Sequence, residues 1–324
     1  MGFILECVEY IILFLKMILI ISDINDKHAD QVESILQINS ASYSRLNLDA
    51  DSLHGTLIRY EENSLQIEGP NCRFSTDEIE AVWNRSSRIE HIDKNNWKAY
   101  EDYQNWKEKC NRTLQGLFSS LKSTKWLNFN NEFYTDNHFR QFTISKNIGL
   151  KWPSYVCTND INYLNSFFEN KRHKVSALMN QDLNRKSGGE CFSKCGETFG
   201  AVLVGDVTDS PCVVSGVAYQ VRCTVVGKEY FVGKIKPECI NDGSISDLQQ
   251  ADSPIVQPPV SIKRRAIEIM TELNLTHGIF DFVVTHVDEW FFDALNPIGP
   301  YQWTEDIEGP DISNSIAKWL MKNN

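Results

Sequence analysis

Oxygen-bearing side chains gather in one stretch near the C-terminus. Between Gly278 and Trp303 an acid, Asp281, stands inside an apolar run, and a second polar group, Asp293 to Asn296, ends another apolar run just before Pro297. Carboxylate and amide oxygens on adjacent strands suit a hard cation such as Mg²⁺, which takes oxygen ligands and keeps phosphate oxygens as partners. Val287-Asp288-Glu289 joins the two runs as a tight polar turn, so a β-hairpin is expected. Spacing alone favours the plainer reading, a hairpin whose polar residues face water.

The elements that would position these groups have to be found in 324 residues, enough for about two or three subdomains. Hydrophobic content of 42% and charged content of 23% describe a folded protein. A net charge of −11 argues against a nucleic-acid binder that works by neutralising phosphates. The nine cysteines include no CxxC pair, and Cys191 and Cys195 have no His or Cys pair nearby to complete a zinc site, so free thiols in a reducing cytoplasm are expected. The apolar run Tyr10–Ser22 is interrupted by Lys16, lacks a cationic start and a small-residue cleavage site, and is short for a membrane span, so neither a signal peptide nor a membrane anchor is expected. Met17 is a candidate start, with residues 1–16 an N-terminal extension.

Met17–Ser22 has the compact apolar texture of a buried parallel strand; a helix is expected over His28–Ile38 and a second strand over Tyr43–Leu48, the opening of an α/β layer. Gly55–Tyr60 and Ser64–Ile67 flank Glu61-Glu-Asn63 as a hairpin, and Ile79–Trp83 reads as a strand. Trp97–Leu121 reads as one helix or two, and Asp136–Asn147 as a helix stopped at Gly149. Pro153–Cys157 reads as a strand and Thr158 to Glu169 as a helix. Further strands are expected over His173–Met179, Ala201–Val204, Cys212–Val214, Val217–Val226 and Tyr230–Ile235, a loop over Asp242–Pro254, and helices over Ser261–Leu273 and Ser313–Met321.

Four segments, in order, then carry a resemblance. They are Ile18–Ser22 with Lys27-His-Ala-Asp30 and Ile79–Arg85; Asn137–Gln141 to Ile148–Ser154 and Thr158-Asn-Asp160; Tyr219–Gly227; and the C-terminal hairpin with Gln302-Trp303 and Ile316-Ala317. Together they resemble the ATP-grasp superfamily, and within it the microviridin or graspetide-type peptide maturases. The resemblance implies an α/β (α+β grasp) architecture, with a pre-ATP-grasp domain over 17–132 and an ATP-grasp domain over 133–324 whose small grasp subdomain covers about 170–218. It implies a cytoplasmic ATP-dependent ligase that joins a carboxylate to an amine or hydroxyl on a ribosomal precursor peptide through an acyl phosphate, with ATP and Mg²⁺ as cofactors and a leader peptide as partner. It leaves homodimerisation open.

Carried over by position, Asp281 and Asn296 take metal-ligand places and Arg222 the catalytic arginine's place. Lys174, Gly188, Gly189 and the hinge-flanking Val214 and Val217 are expected at the nucleotide. Several positions depart from the family pattern. Ala294 replaces a glutamate, and the adjacent Asp293 falls on the opposite strand face unless a bulge intervenes. His138 and Ser176 replace lysines, Ser215 replaces a glutamine, and Asp247-Leu-Gln249 lacks the arginine of an acidic–aromatic–arginine triplet. Residue by residue, plainer roles compete: Arg222 could equally be a surface ion-pair former, Lys174 a solvated strand end, and the Gly188–Gly189 loop matches no P-loop pattern. The departures keep a second function open, a catalytically degenerate ATP-grasp protein that binds peptide or a partner enzyme. Each lost charge-assisted contact would weaken nucleotide binding by roughly 1.5–3 kcal/mol.

Overall fold

A computed structural model describes residues 16–61, 64–85, 89, 100–121, 124–129, 138–152, 177–179, 212–214, 217–235, 256–301 and 312–322. The chain divides into two compact units, 1–130 with 320–324, and 131–319.

The first unit is built on β1 (Met17–Ser22), in which Ile18, Leu19, Ile20 and Ile21 are all buried. An apolar run without alternation fits a strand covered on both faces. Around it, β2 (Tyr43–Asn47), β6 (Ile79–Asn84) and β7 (Lys125–Leu127) form a parallel sheet in the order β2-β1-β6-β7. Helix α1 (Lys27–Ile38) crosses from β1 to β2, and α3 (Tyr100–Ser120) is a single helix, not two. Between them lie α2 (Ala50–His54) and a small antiparallel sheet, β3 (Leu57–Glu61), β4 (Ser64–Glu68) and β5 (Arg73–Ser75), which contains the expected hairpin. The elements without a sequence expectation, α2, β5 and β7, are three to five residues long. No periodicity can show in so few residues, and β7 exists through its pairing with β6.

Asp26 ties this sheet to α1. Its carboxylate caps the helix by accepting from the His28 and Ala29 amides, takes a 2.7 Å bond from Ser22 Oγ, and pairs at 3.1 Å with Arg85, which follows β6. Burial works against the Asp26 carboxylate, but the Arg85 charge and hydrogen bonds and the Ser22 bond outweigh it and lower its pKa. Burial, aided by Arg85, pushes the neighbouring His28 imidazole down to about 4 against the opposing pull of Asp26. Both shifts have the same linkage sign. Unfolded His28 binds a proton below about 6.5 that the folded form refuses until about 4, so its stability is complete above 6.5 and lost as pH falls through that window. Asp26 adds a loss below the ordinary carboxylate range. At about 1.4 kcal/mol per pH unit, His28 alone should cost roughly 3 kcal/mol between pH 7 and 4. Urea midpoints across that range should fall more steeply for the wild type than for His28→Gln; equal slopes would show that His28 is not the group responsible.

The second unit contains α4 (His138–Asn147), a two-stranded sheet of β8 (Ala177–Met179) with β9 (Cys212–Val214), and an antiparallel sheet in the order β11-β10-β12-β13. The four strands are β10 (Val217–Val226), β11 (Glu229–Ile235), β12 (His277–Thr285) and β13 (Trp290–Asn296). Helix α5 (Val260–Glu272) precedes β12, and α6 (Ile312–Met321) closes the described chain. One sheet face buries Val221, Cys223, Phe280, Phe282, Phe292 and Leu295 in a core with Ile262, Ala266, Ile269 and Met270 of α5. Burial pushes the Cys223 thiol up to about 12, so it packs as an inert apolar group. Among the described residues Cys72, Cys110 and Cys223 are free thiols.

The hairpin turns where the sequence places it. Asp288 takes a positive φ of 57°, its amide bonds Thr285 O, and Thr285 Oγ1 accepts from the Glu289 amide. Gly149, at φ 76°, ends the segment after α4 as expected. The expected strands at 153–157 and 201–204, the helix at 158–169, the loop at 242–254 and the first residues of the strand at 173–179 lie outside the described residues. No described helix is long and apolar enough to cross a membrane.

Candidate active site

The sheet face opposite the aromatic core carries Arg222, Asp281 and Asn296, three of the residues the sequence singled out. Side chains paired across neighbouring strands share a face. Arg222 on β10 stands opposite both Gly233 on β11 and Asp281 on β12, and Asp281 stands opposite Ala294 on β13. One row across the sheet therefore reads glycine, arginine, aspartate, alanine.

Asp293 reaches this face because β13 carries a bulge. Asp281 pairs with Ala294 but the next residue, Phe282, pairs with Phe292, so Asp293 is an extra residue. The burial pattern gives the same result: Phe292 and Leu295 both belong to the core although they are three apart, which strict alternation forbids. The carboxylate of Asp293 is close enough to act on Arg222. Asn296, opposite Ile279 and so two residues along from Asp281, lies on the same face. It is exposed, and its amide oxygen accepts from the Ile298 amide at 3.0 Å. Gly299 makes room for it, since a Cβ there would come within 2.9 Å of the Asn296 amide.

Arg222 grips Asp281 with two parallel bonds, Nε to Oδ1 at 2.7 Å and Nη2 to Oδ2 at 2.8 Å, and Nη1 donates to Pro300 O at 3.2 Å. The two side chains are 14% and 21% exposed. Burial opposes the guanidinium charge, but the Asp281 charge and hydrogen bonds, followed by the Asp293 charge, raise its pKa above the ordinary value. Arg222 is thus an ion-pair former with a largely buried side chain. No group of three His, Cys, Asp or Glu suited to a metal occurs among the described residues. The oxygen donors here are two aspartates and one asparagine, a set whose hard chemistry fits Mg²⁺.

Gln141 of α4 supports the bulged strand, and sequence reasoning passed it over. It is 1% exposed. Its Nε2 donates to Leu295 O at 2.7 Å and its Oε1 accepts from Leu295 N at 3.0 Å. A helix side chain thus serves as the missing neighbour strand beside the bulge, and Lys151 O does the same for the Phe292 amide at 2.8 Å. The one available signal was Gln141 itself, a polar residue at the end of the Asn137–Gln141 segment.

Of the expected nucleotide residues, Val214 ends β9 opposite Ala177, and Val217 opens β10 opposite Thr285. Their side chains, and Lys174, Gly188, Gly189, Ser176, Ser215 and Asp247–Gln249, lie outside the described residues. His138 is the first residue of α4.

Known proteins share this architecture. Residues 17–133 match the family model of the MvdD pre-ATP-grasp domain. The macrocyclase MdnC from Microcystis aeruginosa, solved with precursor peptide MdnA, is 18% identical, with a TM-score of 0.78 over 95% of this chain and 100% of that chain. A RiPP-associated ATP-grasp ligase from Chryseobacterium gregarium, in complex with ADP and a leader and core peptide, is 20% identical, with a TM-score of 0.68 over 94% and 96%. The ATP-grasp ligase PsnB, complexed with a phosphomimetic variant of its minimal precursor, Mg and ADP, is 12% identical, with a TM-score of 0.67 over 94% and 98%. No curated protein sequence matches the chain. The fold is that of the ATP-grasp ligases, a pre-ATP-grasp domain followed by an ATP-grasp domain. The resemblance that the sequence carries to the graspetide-type maturases is borne out.

Proposed function

We propose that the protein is a cytoplasmic ATP-dependent ligase that activates a side-chain carboxylate of a ribosomal precursor peptide as an acyl phosphate and passes it to an amine or hydroxyl of the same peptide. Its domain limits in this reading are 17–132 and 133–324, with a small grasp subdomain near 170–218. The observation that carries the reading is the bulge that brings Asp293 to the face of Asp281, Arg222 and Asn296, supplying a carboxylate beside the position where Ala294 has none. Asp281, Asp293 and Asn296 would hold Mg²⁺, which when bound would supply positive charge to offset that of phosphate oxygens. Arg222, held by Asp281 through Nε and Nη2, places a positive charge on this face for anionic ligands, and its raised pKa keeps it cationic. Catalysis by these residues is positioning and charge stabilisation. Relatives solved with precursor peptides and with ADP or Mg support the peptide and cofactor assignments.

Ala294 favours a second reading, a degenerate ATP-grasp protein that binds peptide or a partner without chemistry. Calorimetry with Mg-ATP separates the two. The ligase should bind Mg-ATP below millimolar concentration, lose binding in Asn296→Ala, and release ADP when a Thr/Ser- and Glu/Asp-bearing precursor peptide is added. An absence of binding at millimolar Mg-ATP would overturn the ligase reading, and binding without ADP release would favour the degenerate one.

A further inference from the structure

We propose that Ser145 and Trp152 are positioning residues for the metal site: with Gln141 they make residues 141–152 a brace that grips β13 on both sides of its bulge and so fixes the aim of Asp293. The inference rests on the ligase reading, in which Asp293 holds the cation, and adds to that site two residues that act through β13.

A bulge disrupts the ladder, and the backbone groups of a bulged strand then need other partners. In β13 these partners come from one segment. Before Asp293, the Phe292 amide donates to Lys151 O at 2.8 Å, and the Trp152 ring meets the Phe292 ring edge-on, with centroids 4.8 Å apart at 89°. After Ala294, the Gln141 side chain bonds both backbone groups of Leu295. The two grips are tied to each other. The Trp152 indole N–H donates to Ser145 Oγ, which in turn donates to Gln141 O at 2.6 Å. Ser145 is fully buried. Gly149, at φ 76°, turns the chain between the grips, and the Leu150 amide closes that turn on Ser145 O at 2.9 Å. A shift of Trp152 is thereby passed through Ser145 to the turn of α4 that carries Gln141, and both ends of the bulge respond together. Groups that orient a metal ligand from behind in this way set how well the ligand is aimed.

Mn²⁺ is the probe, since it takes the same hard oxygen ligands as Mg²⁺ and its free form is read by electron paramagnetic resonance. Trp152→Phe keeps a ring against Phe292 but removes the N–H, and Ser145→Ala removes the hydroxyl that links the two grips. In the full chain each variant should bind Mn²⁺ about tenfold more weakly than the wild type, the loss typical of removing a group that orients a metal ligand. Amide exchange separates this from a general loss of stability. The Phe292 and Leu295 amides should exchange faster in both variants, while the Cys223 amide, in β10 of the same sheet, should keep its wild-type protection. Should one variant fail to fold, the other carries the test, because the relay needs both groups. Wild-type Mn²⁺ affinity in either folded variant, or exchange that rises equally at Cys223, overturns the brace. If the wild type binds Mn²⁺ or Mg-ATP, the ligase reading survives that result. If it binds neither, both fall together.

Discussion

Asp281→Ala should lower the stability of the protein by about 3 kcal/mol and abolish Mg-ATP binding. Exposed ion pairs are worth at most about 1 kcal/mol, because water and salt replace them. This pair differs in being two-pronged and in having side chains only 14% and 21% exposed. Alanine strands the Arg222 guanidinium at a largely buried position without the carboxylate that grips it. Its desolvation is then poorly compensated, and that uncompensated charge accounts for most of the loss. Asp281→Asn should lose less, because it retains one acceptor for the fork. Arg222→Met with Asp281→Leu removes both charges and should recover most of the stability without recovering nucleotide binding. Denaturant unfolding and calorimetry check the two halves. A loss under about 1 kcal/mol in Asp281→Ala would mean that the guanidinium finds water, so that the pair behaves as a surface one.

Gln141→Ala should cost about 2–4 kcal/mol and weaken Mg-ATP binding about tenfold. The stability term follows from satisfaction of the backbone. Leu295 is 1% exposed, and both its amide N–H and its carbonyl are bonded to the Gln141 side chain. Alanine leaves a buried donor and a buried acceptor unmet, each costing about 1–3 kcal/mol, with partial relief where water enters. The binding term follows from position. Leu295 lies between Ala294 and Asn296 and two residues past Asp293, so loosening it loosens the bulge that aims Asp293. Gln141→Glu is the sharper variant. It retains an acceptor for the N–H but sets a carboxylate oxygen against the carbonyl, so it should be as harmful as alanine despite its matching size. Hydrogen exchange at the Leu295 amide should rise in both variants. An amide as protected as in the wild type would remove Gln141 from this role.

Much of the fold was legible because its elements are long and locally consistent. The run Ile18–Ile21, the spacing of Ala29, Val32 and Leu36 in α1, and the alternation of Val221, Cys223 and Val225 in β10 each match one period and one burial pattern. The hairpin was legible from its polar turn, where Thr285 and Asp288 satisfy the backbone locally. Arg222 and Asp281 were singled out separately, and the structure pairs them. Nothing in the sequence states that residue 222 and residue 281 fall in register across two strands, since register belongs to the sheet as a whole.

The sequence by itself determined the order of elements, the apolar faces and the residue types present near the C-terminus, because those depend on interactions within a few residues. Only the tertiary structure decided which way Asp293 points. Strict alternation turns it away from Asp281, and the extra residue in β13 turns it back. A bulge is a mismatch between two strands, held here by a glutamine from a helix 154 positions away in the chain. No local pattern records such a contact, and it is that contact which allows a chain with Ala294 in its row to present two carboxylates on one face.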